Sequence, residues 1–139
     1  ADRWDPEVGR RETMEEIFAG SDIVSIHMPS TPETRNSVDR RLIGMMKPTA
    51  YLINAARGAL IREAQLPEAL QNGAIAGAGL DVQEEEPPAE DSPLSAMEHV
   101  ILTPHMGWKG LETRRRLVEI LRADIQGYLE GKPQNVVSG

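Results

Sequence analysis

The apolar residues of the chain gather in four short runs, Asp22–His27, Ala50–Asn54, Ile75–Asp81 and Val100–Thr103, each bounded by glycine, proline or polar residues. Runs this short and this rich in valine, isoleucine and leucine suit strands buried inside a sheet. Between them lie stretches with helical spacing: Glu12–Ala19, Arg40–Met46 and Arg62–Gln71, the last stopped by Asn72-Gly73. A fourth, Leu111–Leu129, ends just before Gly131 and Pro133. Strands that alternate with helices of this length predict right-handed βαβ crossovers and a parallel sheet covered on both faces. The expected fold is α/β, a doubly wound parallel sheet. No repeat, low-complexity tract or linker interrupts the 139 residues, so one domain over residues 1–139 is expected.

Composition narrows what such a sheet can do. The chain has no cysteine, which removes disulfides, thiolate zinc sites and a cysteine nucleophile. No metal site is expected, and any redox chemistry must come from a cofactor. The longest stretch without a charge, Ala69–Leu80, is too short to cross a bilayer, and no basic-then-apolar leader opens the chain. A soluble, cytoplasmic protein with no membrane partner is expected. The net charge of −7 repels a phosphate backbone, and the one basic cluster, Arg114–Arg116, lies in a helical pattern that reads as a solvated face. Nucleic acid is not an expected partner.

Parallel sheets of this kind bind ligands beyond the carboxyl ends of their strands, so the residues after each apolar run form a set. They are His27-Met28-Pro29, Asn54-Ala55-Ala56-Arg57-Gly58, Asp81 followed by Glu84-Glu85-Glu86-Pro87, and Pro104-His105-Met106-Gly107. The small residues Ala55, Ala56, Gly58 and Gly107 would let a flat ligand approach the backbone.

Within that set, Arg57 could fork onto a carboxylate and polarise a neighbouring carbonyl; a surface arginine in an ion pair is the competing reading. His105, in a loop set by Pro104, could exchange the proton of a hydroxyl/carbonyl pair, or serve structure alone. Glu86 precedes Pro87, which favours extended backbone, and its carboxylate could orient the His105 ring. Glu84 and Glu85 read as a solvated acidic turn. Asp81 could accept a hydrogen bond from an amide or cap the following turn. Gly77-Ala78-Gly79 lies inside an apolar run with no third glycine, so it is not a phosphate loop, and His99 reads as an exposed loop residue.

These stretches, in this order, resemble the D-isomer-specific 2-hydroxyacid dehydrogenases, in particular the second half of the family's NAD-binding domain. The resemblance rests on Ser21–Pro29, Thr31-Pro-Glu-Thr34, Met46-Lys-Pro48, Ile53–Gly58, Leu66–Leu70, Ala76–Val82, Glu86-Pro87, Ser92-Pro-Leu94 and Leu102-Thr-Pro-His105, and runs over about Ser21–Val137. It implies hydride transfer between NAD(H) and a small D-2-hydroxy acid/2-oxo acid pair. Arg57 would bind the substrate carboxylate, His105 would be the general acid/base, and Glu86 would pair with it. Arg57 and His105 would also border the cofactor, Asp81 would hold the nicotinamide carboxamide, and Met28, Ala55, Ala56 and Gly107 would line it. Asp2, with Asp5 as the competing choice, would meet the adenosine ribose. A homodimer is implied for the intact protein, and NADP stays open beside NAD.

The chain also departs from the family pattern. The first strand, the G-x-G-x-x-G turn and the substrate domain find no counterpart, so the expectation is a partial Rossmann-like domain that is inactive in isolation. Ala55 stands where a hydroxyl residue is frequent, Gln83 fills a usually aromatic slot, and Trp108-Lys109 follows His105. A dinucleotide-sensing co-regulator or binding module on the same fold is the rival reading.

Overall fold

The computed structural model describes residues 13–137. The chain divides into two compact units, one extending to Pro104 and one beginning at His105.

The first unit opens on α1, Met14–Gly20, where Thr13 and Glu16 form a reciprocal capping box and satisfy donors that have no partner inside the helix. Strand β1 follows at Ile23–Ile26, then α2 at Arg40–Ile43, capped by the Asp39 side chain. Next come β2 at Tyr51–Asn54, α3 at Leu66–Gln71 and β3 at Gly77–Leu80. A 3-10 turn over Pro93–Ala96 leads into β4 at Val100–Leu102. Two of the expected helices are shorter than their patterns. Gly44 ends α2, and Pro67 in the first turn of α3 leaves Glu63–Gln65 as a separate 3-10 turn.

The sheet runs β1-β2-β3-β4 with every neighbouring pair parallel, which bears out the expected α/β parallel fold. Each strand alternates, so Val24, Ile26, Leu52, Ala78 and Leu80 turn to one face. There they join Phe18, Leu42, Ile43, Leu66, Leu70, Ile75 and Leu94 in a single core.

The opposite face departs from expectation. Ile23, Tyr51 and Ile101 are 65%, 49% and 72% exposed. The strands advance in one direction along the sheet, and right-handed crossovers then carry every connection to the same face. Gly77 and Gly79 serve this face. A Cβ on Gly77 would lie 2.6 Å from the His99 carbonyl and 3.1 Å from the Tyr51 ring, and one on Gly79 would meet the Ile53 side chain at 3.1 Å. The glycine pair is thus packing space inside a strand, as its apolar setting implied. His99 is exposed, and its carbonyl accepts from the Ala78 amide.

The second unit contains α4, Leu111–Leu129, with the expected bounds. Only Gly127 is buried along it, and a Cβ there would come within 2.7 Å of the Lys132 carbonyl. Arg114–Arg116 are exposed on this helix. Among the described residues no helix is long and apolar enough to cross a membrane.

Candidate active site

In the first unit Ile26, Asn54, Leu80 and Leu102 stand in one row across the four strands, so the segments that follow them leave from a common rim. The exit of β2 is the most constrained. Asn54 is 1% exposed; its side-chain Nδ2 donates to the Arg57 carbonyl at 2.9 Å and its Oδ1 accepts from the Ala56 amide at 3.1 Å. Ala55 is exposed and Ala56 half-buried, so the turn between these bonds presents little beyond backbone. Gly58 is buried against the next strand's loop, where a Cβ would lie 1.9 Å from the Gln83 carbonyl oxygen. Arg57 sits between these two fixings in extended conformation, its side chain exposed, with Nη1 donating to the Ala56 carbonyl at 2.7 Å. Among the described residues no carboxylate pairs with this guanidinium.

At the exit of β3, the Asp81 amide donates to the Asn54 carbonyl at 2.9 Å, and the Thr103 hydroxyl donates to the Asp81 carboxylate. This carboxylate is therefore half-buried and held from the neighbouring strand end. Glu86 lies on an exposed loop, and its Oε1 accepts from the Gln83 amide at 3.0 Å. Glu84 and Glu85 are exposed as the acidic turn requires, although the Glu84 amide donates to the Glu63 carboxylate at 2.7 Å. At the exit of β1, Met28 packs half-buried against the core, and exposed His27 bonds Ser25 Oγ through Nε2 at 2.8 Å.

Two further candidates, His105 and Gly107, belong to the second unit. His105 opens the second unit with φ of 49°, a left-handed conformation that a non-glycine residue adopts at a cost and that is enriched at functional positions. Its carbonyl accepts from the Trp108 indole at 3.0 Å, and the Lys109 ammonium stands 6.0 Å from the centre of that ring. Gly107 is exposed in the same loop. Asp2 and Asp5 lie outside the described residues.

Two polar residues at the rim were not singled out from the sequence: Asn54 as a clamp and Thr103 as the partner of Asp81. Asn54 left a signal, because the alternation of β2 points it inward beside Leu52, where a polar side chain needs a reason.

A parallel α/β sheet with small residues, an exposed guanidinium and a held carboxylate along its carboxyl rim points to a nucleotide-binding class of domain. Residues 2–107 match the NAD binding domain of the D-isomer specific 2-hydroxyacid dehydrogenases. The chain is 40% identical over 126 residues to a glycerate dehydrogenase of Methylorubrum extorquens, taking in 89% of this chain and 40% of that protein. It is structurally similar to a D-isomer specific 2-hydroxyacid dehydrogenase of Lactobacillus delbrueckii ssp. bulgaricus in its NAD complexed form, with a TM-score of 0.87 at 30% identity over 99% of this chain and 47% of that one. A D-lactate dehydrogenase with NAD+ from Lactobacillus jensenii gives 0.87 at 32% identity over 100% and 47%. The chain belongs to the D-isomer specific 2-hydroxyacid dehydrogenase family, and the stretch matched is that family's NAD-binding domain. It spans less than half the length of these relatives.

The residues present suit that cofactor. Ala55 and Ala56 leave the β2 exit open to a planar ring, and Asp81 offers the acceptor oxygen that a carboxamide NH₂ requires.

Proposed function

We propose that this chain supplies the NAD-binding part and the catalytic rim of an oxidoreductase that interconverts a small D-2-hydroxy acid and its 2-oxo acid. The observation that carries the reading is the exposed Arg57 guanidinium, without a carboxylate partner among the described residues, on a turn whose frame is buried. A fixed fork of this kind suits a substrate carboxylate and offsets charge developing on the adjacent oxygen. Asp81 holds the carboxamide, Met28, Ala55, Ala56 and Gly107 border the cofactor, and Asp2 meets its ribose. When bound, NAD supplies the hydride donor or acceptor. His105 gives a proton to the 2-oxo oxygen in reduction and takes it back in oxidation, while Glu86 orients its ring. Residues 1–139 act as a partial dinucleotide-binding domain of a cytoplasmic protein that dimerises when intact.

Two assays test this. The isolated chain with NADH and glyoxylate, hydroxypyruvate or pyruvate is expected to show no steady-state turnover, because a single rim holds neither reactant against water. In the complete enzyme Arg57→Lys is expected to lower kcat/KM by roughly a hundredfold, since a point charge replaces a bidentate fork. Near-normal kcat/KM for that variant would refute the role of Arg57.

A further inference from the structure

The residue that makes Arg57 usable lies beneath it. We infer that Asn54 is a positioning residue, whose side-chain amide holds the Ala55-Ala56-Arg57 turn in the geometry in which the guanidinium meets a substrate carboxylate. This rests on the proposed role of Arg57.

Strand β2 places Asn54 at an inward position next in register to Leu80, on the same face as fully buried Leu52. An apolar side chain would satisfy the alternation there. Asn54 instead spends both ends of its amide on the turn, Oδ1 on the Ala56 N–H and Nδ2 on the Arg57 carbonyl, while its own carbonyl accepts from the Asp81 N–H. Only a side chain that is donor and acceptor together can make both turn contacts. Aspartate keeps the acceptor and sets an oxygen against the Arg57 carbonyl; leucine makes neither contact. Arg57 is thereby fixed at its carbonyl by Asn54 and at its C-terminal neighbour by the contact of Gly58 with the Gln83 peptide. What remains to move is the side chain, whose Nη1 donates to the Ala56 carbonyl of the same turn, and a guanidinium whose backbone does not wander loses less freedom when it closes on an anion.

The distinguishing test is a variant whose hydrogen-bonding character depends on pH. In Asn54→Asp, burial pushes the new carboxyl up; protonated, it can donate to the Arg57 carbonyl as the amide does, and ionised, it repels that oxygen, so order and affinity should fall as pH rises. Arg57 and Asp81 are the ionisable residues whose backbones bond Asn54, and wild type measured at both pH values reports their own contribution. In the full chain, backbone ¹H–¹⁵N heteronuclear NOEs of residues 55–57 report the order of the turn, and titration with oxalate, a planar mimic of a 2-oxo acid, reports anion binding. Asn54→Asp is expected to disorder the turn and weaken oxalate binding by roughly tenfold at about pH 8 and to regain most of both at about pH 6. Leu52→Ala, a core truncation on the same strand face, is expected to lower the unfolding midpoint while leaving turn order and oxalate affinity unchanged. If Asn54→Asp keeps wild-type order at both pH values, or Leu52→Ala disorders the turn as much, Asn54 is a structural residue only. If turn order responds as described while wild type binds no oxalate, the clamp stands and the substrate role of Arg57 fails.

Discussion

The turn that leaves β2 presents Arg57 and the loop beyond Gln83 presents Glu86, and the two are held by opposite means. The β2 turn is framed by two buried residues, Asn54 and Gly58, and the hydrogen bonds that shape it come from a side chain with no access to water. The β3 loop is exposed from Glu84 to Asp91, and carboxylates at the surface accept from its main chain, Glu86 from the Gln83 amide and Glu63 from the Glu84 amide. Surface hydrogen bonds compete with water and are weak, whereas buried ones that lose a partner leave an unsatisfied group behind. The Arg57 turn is therefore held from the interior, whereas these two bonds hold the loop from its exposed side. That division suits the proposed task of Arg57, since a fork must be aimed.

The two segments touch where Gly58 meets the Gln83 peptide, and the largest effect is expected there. A methyl at Gly58 would stand 1.9 Å from the Gln83 carbonyl oxygen and 2.5 Å from the Glu84 nitrogen, and backbone cannot rotate aside as a side chain would. Gly58→Ala is expected to cost about 3 kcal/mol of unfolding free energy in chemical denaturation. A loss under about 0.5 kcal/mol would mean that the turn gives way as easily as the loop, and the contrast would collapse.

The loop should be far more forgiving. Glu86→Gln retains an oxygen for the Gln83 amide and is expected to leave stability within about 0.5 kcal/mol of wild type, while Glu86→Ala, which removes the acceptor, should lose about 1 kcal/mol. Denaturation curves in which both variants fall as far as Gly58→Ala would show that the exposed loop is as tightly built as the turn.

How much of this was readable beforehand follows from range. The four strands and α4 are local patterns of apolar residues, and the structure places them within a residue or two of their runs. The bounds of α2 and α3 were harder, because Gly44 and Pro67 act inside otherwise helical spacing. The bare sheet face was not legible, since Ile23, Tyr51 and Ile101 read as buried by composition and only the one-way order of the strands exposes them. At the rim, the residues after each strand could be gathered from a rule about parallel sheets. The Asn54 clamp and the Thr103–Asp81 bond could not, because both depend on where a side chain lands after a turn or across a strand pair.

The smallest effect sharpens the contrast from outside the site. Glu86 and Glu16 use one device, a carboxylate that accepts the main-chain N–H three residues earlier, at 3.0 Å from Gln83 in the loop and 2.8 Å from Thr13 at the start of α1. In the helix cap the bond is reciprocated, since the Thr13 hydroxyl accepts from the Glu16 amide and also approaches the Glu16 carboxylate at 3.0 Å. The Thr13 main-chain bond, and after it the Thr13 hydroxyl, hold the Glu16 carboxyl below its ordinary 4.5. A carboxyl lowered in the folded state stabilises above its unfolded value, and the contribution fades as pH falls through the lowered folded value. The cap should therefore be intact at neutral pH and weaken only on acidification below about 4.5. Thr13→Ala removes the hydroxyl and keeps the main-chain donor, so the Glu16 titration followed by ¹³C NMR should return only part of the way toward the ordinary value. A complete return would mean that the main-chain bond contributes nothing at an exposed position, and the same doubt would then extend to the Gln83 amide beneath Glu86.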